Sequence, residues 1–234
     1  MPEFVDQNTI VLGAKPLGEN TFIITLFTRE QGKHLGVIKK KYPPEIGTLM
    51  HAKWKARLAE QLGTFYLEEI KSYAPLLLDD MPRLNILSNL CATLDKVLPE
   101  RQVYTALYDK TLDFLNHLDS PLFYRDYIRY ELDLLSALGF ALDLSNCAGG
   151  GDRNDLAYVS PKTGRAISRD KGKPYHNKLL SLPRFLWTDD SANEQDLLDG
   201  LSLTGYFLQQ YLLPQLPNTR SRVIFDIQRG KNHG

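Results

Sequence analysis

Cysteine is scarce in this sequence, and long hydrophobic runs are missing from it. The two cysteines, Cys91 and Cys147, are far apart and cannot build a disulfide framework, which is typical of a protein from a reducing compartment. No stretch approaches the ~18 consecutive apolar residues of a membrane span, and the first residues lack the basic head and apolar run of a signal peptide. The sequence therefore predicts a soluble cytoplasmic protein without membrane contact.

Motifs for bond-making or bond-breaking chemistry are also missing. The sequence has neither a Walker phosphate loop nor an HExxH metal-binding helix. The segment GLSLT at 200–204 departs from the nucleophile-elbow pattern at its last position. The five histidines do not cluster, and the acidic residues are scattered. We therefore predict a protein that is not an enzyme and needs no cofactor.

Cys147 is the residue that most resembles the start of a metal site, because a cysteine before a glycine-rich turn and a short hairpin begins many zinc knuckles. A structural zinc site needs four ligands, typically with a second cysteine two to four residues on. Ala148, Gly149 and Gly150 follow instead, and only His176 comes later. The sequence thus predicts no bound metal, and Cys147 is interpreted as a packing residue.

The net charge is zero, but the charges are unevenly distributed along the chain. Residues 150–184 hold eight basic and three acidic side chains, and residues 1–73 hold ten and eight. The region between them is acidic, with six basic and eleven acidic side chains. Since phosphate contacts respond to local charge, this pattern is compatible with nucleic acid meeting two separate segments.

The first 75 residues are rich in β-branched and aromatic runs separated by turn residues. Strands are predicted at 8–12, 21–27, 34–39, 49–58 and 65–70. No strand is followed by a connection of helix length, which excludes a parallel α/β fold. Five short strands predict a closed Greek-key barrel of the oligonucleotide-binding (OB) type, whose members often bind single strands.

From residue 76 to 234 the hydrophobic period becomes helical. Helices are predicted at 82–98, 104–118, 121–138, from about Asn193 to 213, and at 220–228, with Gly139 as a C-terminal cap. Glu131 falls on an apolar stripe, so we expect an arginine or backbone donors to satisfy its carboxylate.

A basic knob, at about residues 143–184, is inserted between these helices. It contains three consecutive glycines from Gly149 to Gly151, then short strands at 156–159 and 165–168 joined by the turn 160–164. The predicted fold is therefore α+β and multidomain: an OB-fold barrel at 1–75, then an α-helical domain at 76–234 with a zinc-finger-like basic insertion that lacks metal ligands.

Several segments, in this order, resemble the RecO family of bacterial recombination mediators, in the variety whose zinc finger has lost its metal. The segments are NTIVLG at 8–13 with Gly18 and Glu19, TREQGKH at 28–34, WKARL at 54–58 with LGTF at 62–65, YELDLLSALGF at 130–140, Asp143 and Leu144, Cys147 and Ala148, and DLAYVSPKTGRA at 155–166. Two departures stand out: the basic loop at 39–41 is short, and three of the four zinc cysteines are missing.

The resemblance implies a DNA repair and recombination mediator associated with the nucleoid. RecO-like proteins bind single- and double-stranded DNA and anneal complementary strands. With RecR they help to load RecA onto strands coated by single-stranded-DNA-binding protein (SSB), and they bind the acidic, apolar C-terminal tail of SSB. This work requires exchangeable phosphate neutralisation and no bond chemistry.

Two sets of contact residues are predicted. The alternation of Lys53, Lys55 and Arg57 with apolar residues places these three on one face of a strand. The full DNA-binding set is Arg29, Lys33, Lys39, Lys40, Lys41, Lys53, Lys55 and Arg57 on the barrel, and Arg165, Arg169, Lys171 and Lys173 on the knob. The expected SSB-tail set is Phe123, Tyr124, Arg125 and Arg129.

Three other functions remain open on the sequence. A nuclease would need a cluster of carboxylates and a divalent metal. A protein-interaction scaffold would show no salt-sensitive DNA affinity. An RNA-binding barrel would prefer RNA, and the aromatic residues near the basic strand, chiefly Trp54, Phe65 and Tyr66, are compatible with it.

Overall fold

The computed structural model describes residues 2–58 and 60–229 and contains two compact units. The first unit ends at Leu118 and the second begins at Asp119. Within the described residues, no helix combines the length and apolar character needed to cross a membrane.

The first unit contains the predicted barrel, and all five strands are confirmed. The strands are β1 (Glu3–Gly18), β2 (Thr21–Thr28), β3 (Gly32–Lys39), β4 (Leu49–Lys55) and β5 (Thr64–Lys71). They close in the order β1-β2-β3-β5-β4, with antiparallel neighbours except for the parallel bridge of Val37 with Thr64 between β3 and β5. Alternate side chains such as Ile24, Leu26 and Trp54 fill the interior.

Strand β1 is much longer than the predicted segment 8–12, because it serves two partners. It pairs with β4 from Glu3 to Ile10 and with β2 from Thr9 to Gly18. Its register shifts against both neighbours, between Asp6 and Thr9 and again after Val11. Such bulges bend a strand, and the bend lets a small sheet close on itself.

Two helices pack on the barrel within the first unit, α1 (Met81–Val97) and α2 (Thr105–Asn116). The Asp80 carboxylate caps α1 by accepting a 3.2 Å hydrogen bond from the Arg83 backbone N–H. From α2, the buried Tyr108 hydroxyl donates to the Asn8 carbonyl at 2.7 Å. Both helices therefore belong to the same compact unit as the strands.

The second unit begins with α3 (Phe123–Ala137), whose predicted glycine cap is confirmed. Gly139 has a φ of 91°, in the left-handed region that favours glycine. The Gly139 and Phe140 backbone N–H groups donate to the Ser136 and Leu135 carbonyls at 3.0 and 2.8 Å. This Schellman pattern satisfies the last carbonyls of the helix.

The knob follows α3 as a small three-stranded sheet. Its strands are β6 (Leu156–Val159), β7 (Ala166–Ser168) and β8 (Leu180–Ser181), in the order β7-β6-β8. The short helix α4 (Arg169–Gly172) and a 3-10 turn (Lys173–Lys178) connect β7 to β8. The first two strands were predicted; β8 has only two residues, too few to show a period in the sequence.

Helices α5 (Glu194–Tyr211) and α6 (Thr219–Arg229) complete the second unit. Asn193 caps α5 as predicted, in a reciprocal capping box with Asp196. The expectation for Glu131 is also confirmed, because its buried carboxylate pairs with the buried Arg220 guanidinium of α6.

Candidate nucleic-acid interface

Strands β4 and β5 present alternating side chains to the two sides of the barrel wall. Trp54 and Phe65 pair across the strands and point into the core, where they are 3% and 4% exposed. Their neighbours point outward, so Lys53 lies opposite Tyr66. This outward face carries the basic strand that the sequence predicts.

Two concavities flank Tyr66 on this outward face, with volumes of about 500 and 580 Å³. Thr64 and Tyr66 line both, so the two concavities lie side by side. We call them together the barrel groove. Its basic lining residues are Lys39, Lys40, Lys53, Lys55 and Arg57. One acidic residue, Glu68, lines it as well, so the groove has a clear positive excess.

Glycines allow the buried aromatic rings to support the groove from inside. A Cβ at Gly36 would lie 2.5 Å from the Phe65 ring, and one at Gly63 would lie 2.4 Å from the Trp54 ring. The Trp54 indole N–H donates to the Leu62 carbonyl at 3.0 Å. These close contacts fix the wall of the groove on the rigid core.

Tyr66 is an aromatic residue of the barrel wall whose ring is available for stacking. It is 61% exposed, whereas Trp54 and Phe65 are buried. An exposed ring between cations matches the stacking platforms on which proteins hold unpaired bases. The predicted DNA-binding set omitted Tyr66, although the alternation of buried and exposed residues along β5 marks it as outward-facing.

Most cations of the groove form no ion pair in the described part of the chain, although Lys53 is close enough to Glu3 to help lower the pKa of that carboxyl. Lys39, Lys40, Lys53 and Arg57 form no ion pair within residues 2–58 and 60–229. Lys55 lies 3.1 Å from the Glu3 carboxylate, and its hydrogen bond lowers the pKa of Glu3. Because the Lys55 pair is half exposed, phosphate could displace it at small cost.

Three predicted barrel residues lie outside the groove lining. The Arg29 guanidinium forms a two-pronged pair with the Asp109 carboxylate, at 2.8 and 3.0 Å, which raises the pKa of Arg29. Lys33 is only 9% exposed, and its ammonium donates to the Asp95 carbonyl at 2.8 Å. The Lys41 ammonium lies 5.3 Å from the ring centre of Tyr42. Lys33 is thus engaged inside the first unit.

The predicted DNA-binding residues of the knob differ in whether they have an acidic partner. Arg165 lies 3.4 Å from the Asp143 carboxylate, and Arg169 lies 3.3 Å from that of Asp155. Lys171 and Lys173 are exposed and have no ion pair in the described part of the chain. The two lysines are therefore the residues of this set whose charge is available to a DNA phosphate.

Cys147 is held in the knob by hydrogen bonds to its sulfur. The Ser168 backbone N–H donates to Sγ at 3.2 Å. Burial opposes ionisation, but hydrogen bonds from Ser168, Gly151 and Gly149 lower the pKa of the thiol to about 7. Within the described residues, no group of three His, Cys, Asp or Glu side chains lies together as a metal site would require.

The residues expected to bind the SSB tail are mostly engaged within the second unit. Phe123 is 8% exposed, with its ring centre 4.1 Å from that of Tyr124. The Arg129 guanidinium donates to the Phe185 and Thr188 carbonyls at 2.7 and 2.6 Å. The buried Arg125 Nε lies 3.5 Å from the Asp126 carboxylate and makes no hydrogen bond within residues 2–58 and 60–229.

Comparisons with known proteins cover almost the whole chain. The family model "Recombination protein O N terminal" matches residues 1–73, and "Recombination protein O C terminal" matches residues 78–220. The chain is 42% identical to the DNA repair protein RecO of Rhodospirillum rubrum over 98% of both chains. It is 40% identical to that of Rhodospirillum centenum, over 93% of this chain and 92% of the relative, and 38% identical to that of Rickettsia canadensis, over 92% of both.

Proposed function

We propose that this chain, which belongs to the RecO family of DNA repair proteins, binds single- and double-stranded DNA and anneals complementary strands. With RecR it would help to load RecA onto SSB-coated single strands, in the cytoplasm at the nucleoid. The observation that carries the proposal is the barrel groove, in which Tyr66 lies between two concavities with basic linings.

The groove supports this function by combining two kinds of contact. Its lysines and Arg57 would neutralise phosphates, and Tyr66 would stack an unpaired base. A duplex keeps its bases stacked and would use the phosphate contacts alone. Neither contact makes or breaks a covalent bond, so a bound strand remains free to exchange and to pair with its complement.

We expect Tyr66→Ala to weaken binding of a labelled oligothymidylate about tenfold, since stacking on one aromatic contributes about 1 to 3 kcal/mol. Lys53→Gln should lower the slope of log affinity against log salt by about 0.7, the value of one phosphate contact on a single strand. Fluorescence anisotropy across a salt series measures both effects. Lys15→Gln, at an exposed position of β1 outside the groove lining, is the matched control.

The same titrations separate the other candidate functions. Equal affinity of wild type and both groove variants for the oligonucleotide would remove the groove from the proposal. No DNA affinity even at low salt would favour a protein-interaction scaffold, and clear preference for oligouridylate would favour an RNA-binding module. Metal-dependent shortening of the oligonucleotide would identify a nuclease. Annealing of SSB-coated complementary strands without ATP would support the mediator function.

For the SSB tail, the proposal now centres on Arg125 and Tyr124. What supports Arg125 is that its Nε, 3.5 Å from Asp126 Oδ1, forms an ion pair with that carboxylate but no hydrogen bond within the described residues. Arg125→Gln should weaken binding of an acidic SSB-tail peptide about fivefold or more, because it removes one charge-assisted contact. Calorimetric titration measures this loss.

The variant to compare with Arg125→Gln is Arg129→Gln, which replaces another arginine of the same helix. Arg129 is held by two backbone carbonyls, so we expect its replacement to lower the thermal stability of the second unit. Unchanged peptide affinity of Arg125→Gln would exclude this surface as the tail site.

A further inference from the structure

We infer that the 3-10 turn of the knob, Lys173–Lys178, carries a second binding site for single-stranded DNA, with Tyr175 as its stacking platform. The site lies in the second unit, whereas the barrel groove lies in the first. This inference rests on the proposed DNA binding and extends it, because two sites on one chain would hold two strands for annealing.

Tyr175 is an exposed residue in a lysine-rich segment. Its side chain is 60% exposed, and the segment from Lys171 to Lys178 contains three lysines and no acidic residue. All three lysines are exposed, and none forms an ion pair within the described residues. An exposed aromatic residue surrounded by unpaired positive charge is complementary to a strand whose bases are free to stack.

The geometry of the turn aligns these side chains. A 3-10 helix has three residues per turn, so side chains three positions apart lie one above the other. Tyr175 and Lys178 therefore share one face of the turn, and Lys173 and His176 share the next. A base on the Tyr175 ring would then have the Lys178 ammonium on the same face of the turn to neutralise its phosphate.

The knob holds the turn firmly at both ends. Before it, Gly172 packs against the Tyr158 ring so closely that a Cβ there would lie 2.3 Å from the ring. After it, β8 pairs with β6, and the Leu182 backbone N–H donates to the Ala157 carbonyl at 2.9 Å. A platform with fixed ends loses little conformational freedom when it binds a strand.

A single strand explains this surface better than a duplex or an acidic peptide. A duplex would leave the Tyr175 ring without a base to cover it. Three arginines of the knob, Arg165, Arg169 and Arg184, are paired with carboxylates, and the segment from Lys171 to Lys178 contains lysines but no arginine for bidentate recognition of a carboxylate. Lysines act as point charges along a phosphate backbone.

The test uses the full chain with the groove weakened by Tyr66→Ala and Lys53→Gln. In this background, adding Tyr175→Ala should reduce the remaining oligothymidylate affinity about tenfold and duplex affinity less. Adding Lys173→Gln and Lys178→Gln should instead lower the salt slope by about 1.4. Tyr206→Ala, at a 39% exposed position of α5, is the matched control and should change neither quantity.

A spectroscopic variant separates binding from a general loss of structure. Tyr175→Trp keeps the stacking surface, so it should retain affinity, and an added oligothymidylate should quench the new indole. Unquenched fluorescence, unchanged oligothymidylate affinity on adding Tyr175→Ala, or an equal loss of affinity for single strand and duplex would each overturn the inference. Complete loss of binding on weakening the groove alone would overturn it too, while leaving the proposed function intact. Absence of DNA binding by the wild type would contradict both.

Discussion

Replacing Arg220 with methionine is expected to destabilise the second unit by about 3 to 5 kcal/mol, the cost of leaving a buried charge without its partner. The Arg220 and Glu131 side chains are 4% and 1% exposed. The Arg220 guanidinium also donates to the Leu201 carbonyl at 2.7 Å and to the Thr204 hydroxyl at 3.0 Å. One side chain of α6 therefore ties α3 and α5 together.

Desolvation makes this network sensitive to the loss of either partner. Burial and the nearby Glu131 carboxylate raise the pKa of Tyr127 well above its usual value, and Arg220 counteracts that effect. Gly205 leaves space for the guanidinium, since a Cβ there would lie 3.2 Å from Arg220 Nε. Removing the arginine leaves the buried Glu131 carboxylate without a counter-charge, which is costlier than never having buried the pair.

Urea unfolding, followed by the far-ultraviolet circular dichroism of the helices, measures the loss in Arg220→Met. Arg222→Met is the matched control, because Arg222 lies on the exposed side of the same helix, and its change should stay within about 0.5 kcal/mol. Combining Arg220→Met with Glu131→Leu should recover much of the stability, since no buried charge is left. An Arg220→Met variant as stable as the control would show that the pair is dispensable.

Acidification is expected to destabilise the barrel through His34. This residue of β3 is 6% exposed, and its ring centre lies 4.6 Å from that of Trp54 and 4.9 Å from that of Phe4. Among the residues that the structure describes, neither ring nitrogen has a hydrogen-bond partner. Burial, with a smaller contribution from the positive charge of Arg101, lowers the pKa of His34 to about 4.

The direction of the pH effect follows from this lowered pKa. An unfolded histidine has a pKa near 6.5, so between about pH 6.5 and pH 4 the unfolded chain binds a proton that the folded barrel does not. Titration of His34 therefore costs no stability above about pH 6.5 and lowers the free energy of unfolding progressively as the pH falls toward 4. The pKa difference of about 2.5 corresponds to about 3 kcal/mol at most.

Unfolding at a series of pH values, followed by the fluorescence of the adjacent Trp54, measures this dependence. His34→Leu should flatten the acid limb and leave stability near pH 7 equal or higher, because it removes two buried nitrogens that have no partner. His117→Gln removes an exposed histidine and keeps His34, so this control should retain the wild-type profile. An acid limb of unchanged steepness in His34→Leu would assign the effect to other groups.

Local patterns in the sequence determined most of the secondary structure. The β-branched runs predicted five barrel strands, and the helical period predicted the five longest helices to within a few residues. Gly139 and Asn193 predicted helix ends, because a left-handed φ and an N-terminal cap depend on neighbours only a few residues away. The family resemblance was visible for the same reason, since its motifs are short and occur in order.

Long-range contacts decided which of the predicted residues remain available to a ligand. Arg29, Arg165 and Arg169 each form an ion pair with an aspartate. The buried Lys33 ammonium donates a hydrogen bond to a carbonyl of α1. A charge count along the sequence treats all these cations alike. The pairing depends on which carboxylate the fold brings within about 4 Å.

Tyr66 and Tyr175, the two proposed stacking residues, likewise differ in how much of their environment the sequence pattern could predict. The alternation along β5 already placed Tyr66 outward, but only closure of the barrel set it between two basic concavities. Tyr175 lies in a turn that shows no hydrophobic periodicity. Its exposure depends on the positions of α4 and β8, between which the turn lies. The sequence by itself therefore determined the elements and the family. Only the tertiary structure decided where cations and aromatic rings meet, because that depends on packing between residues distant in the chain.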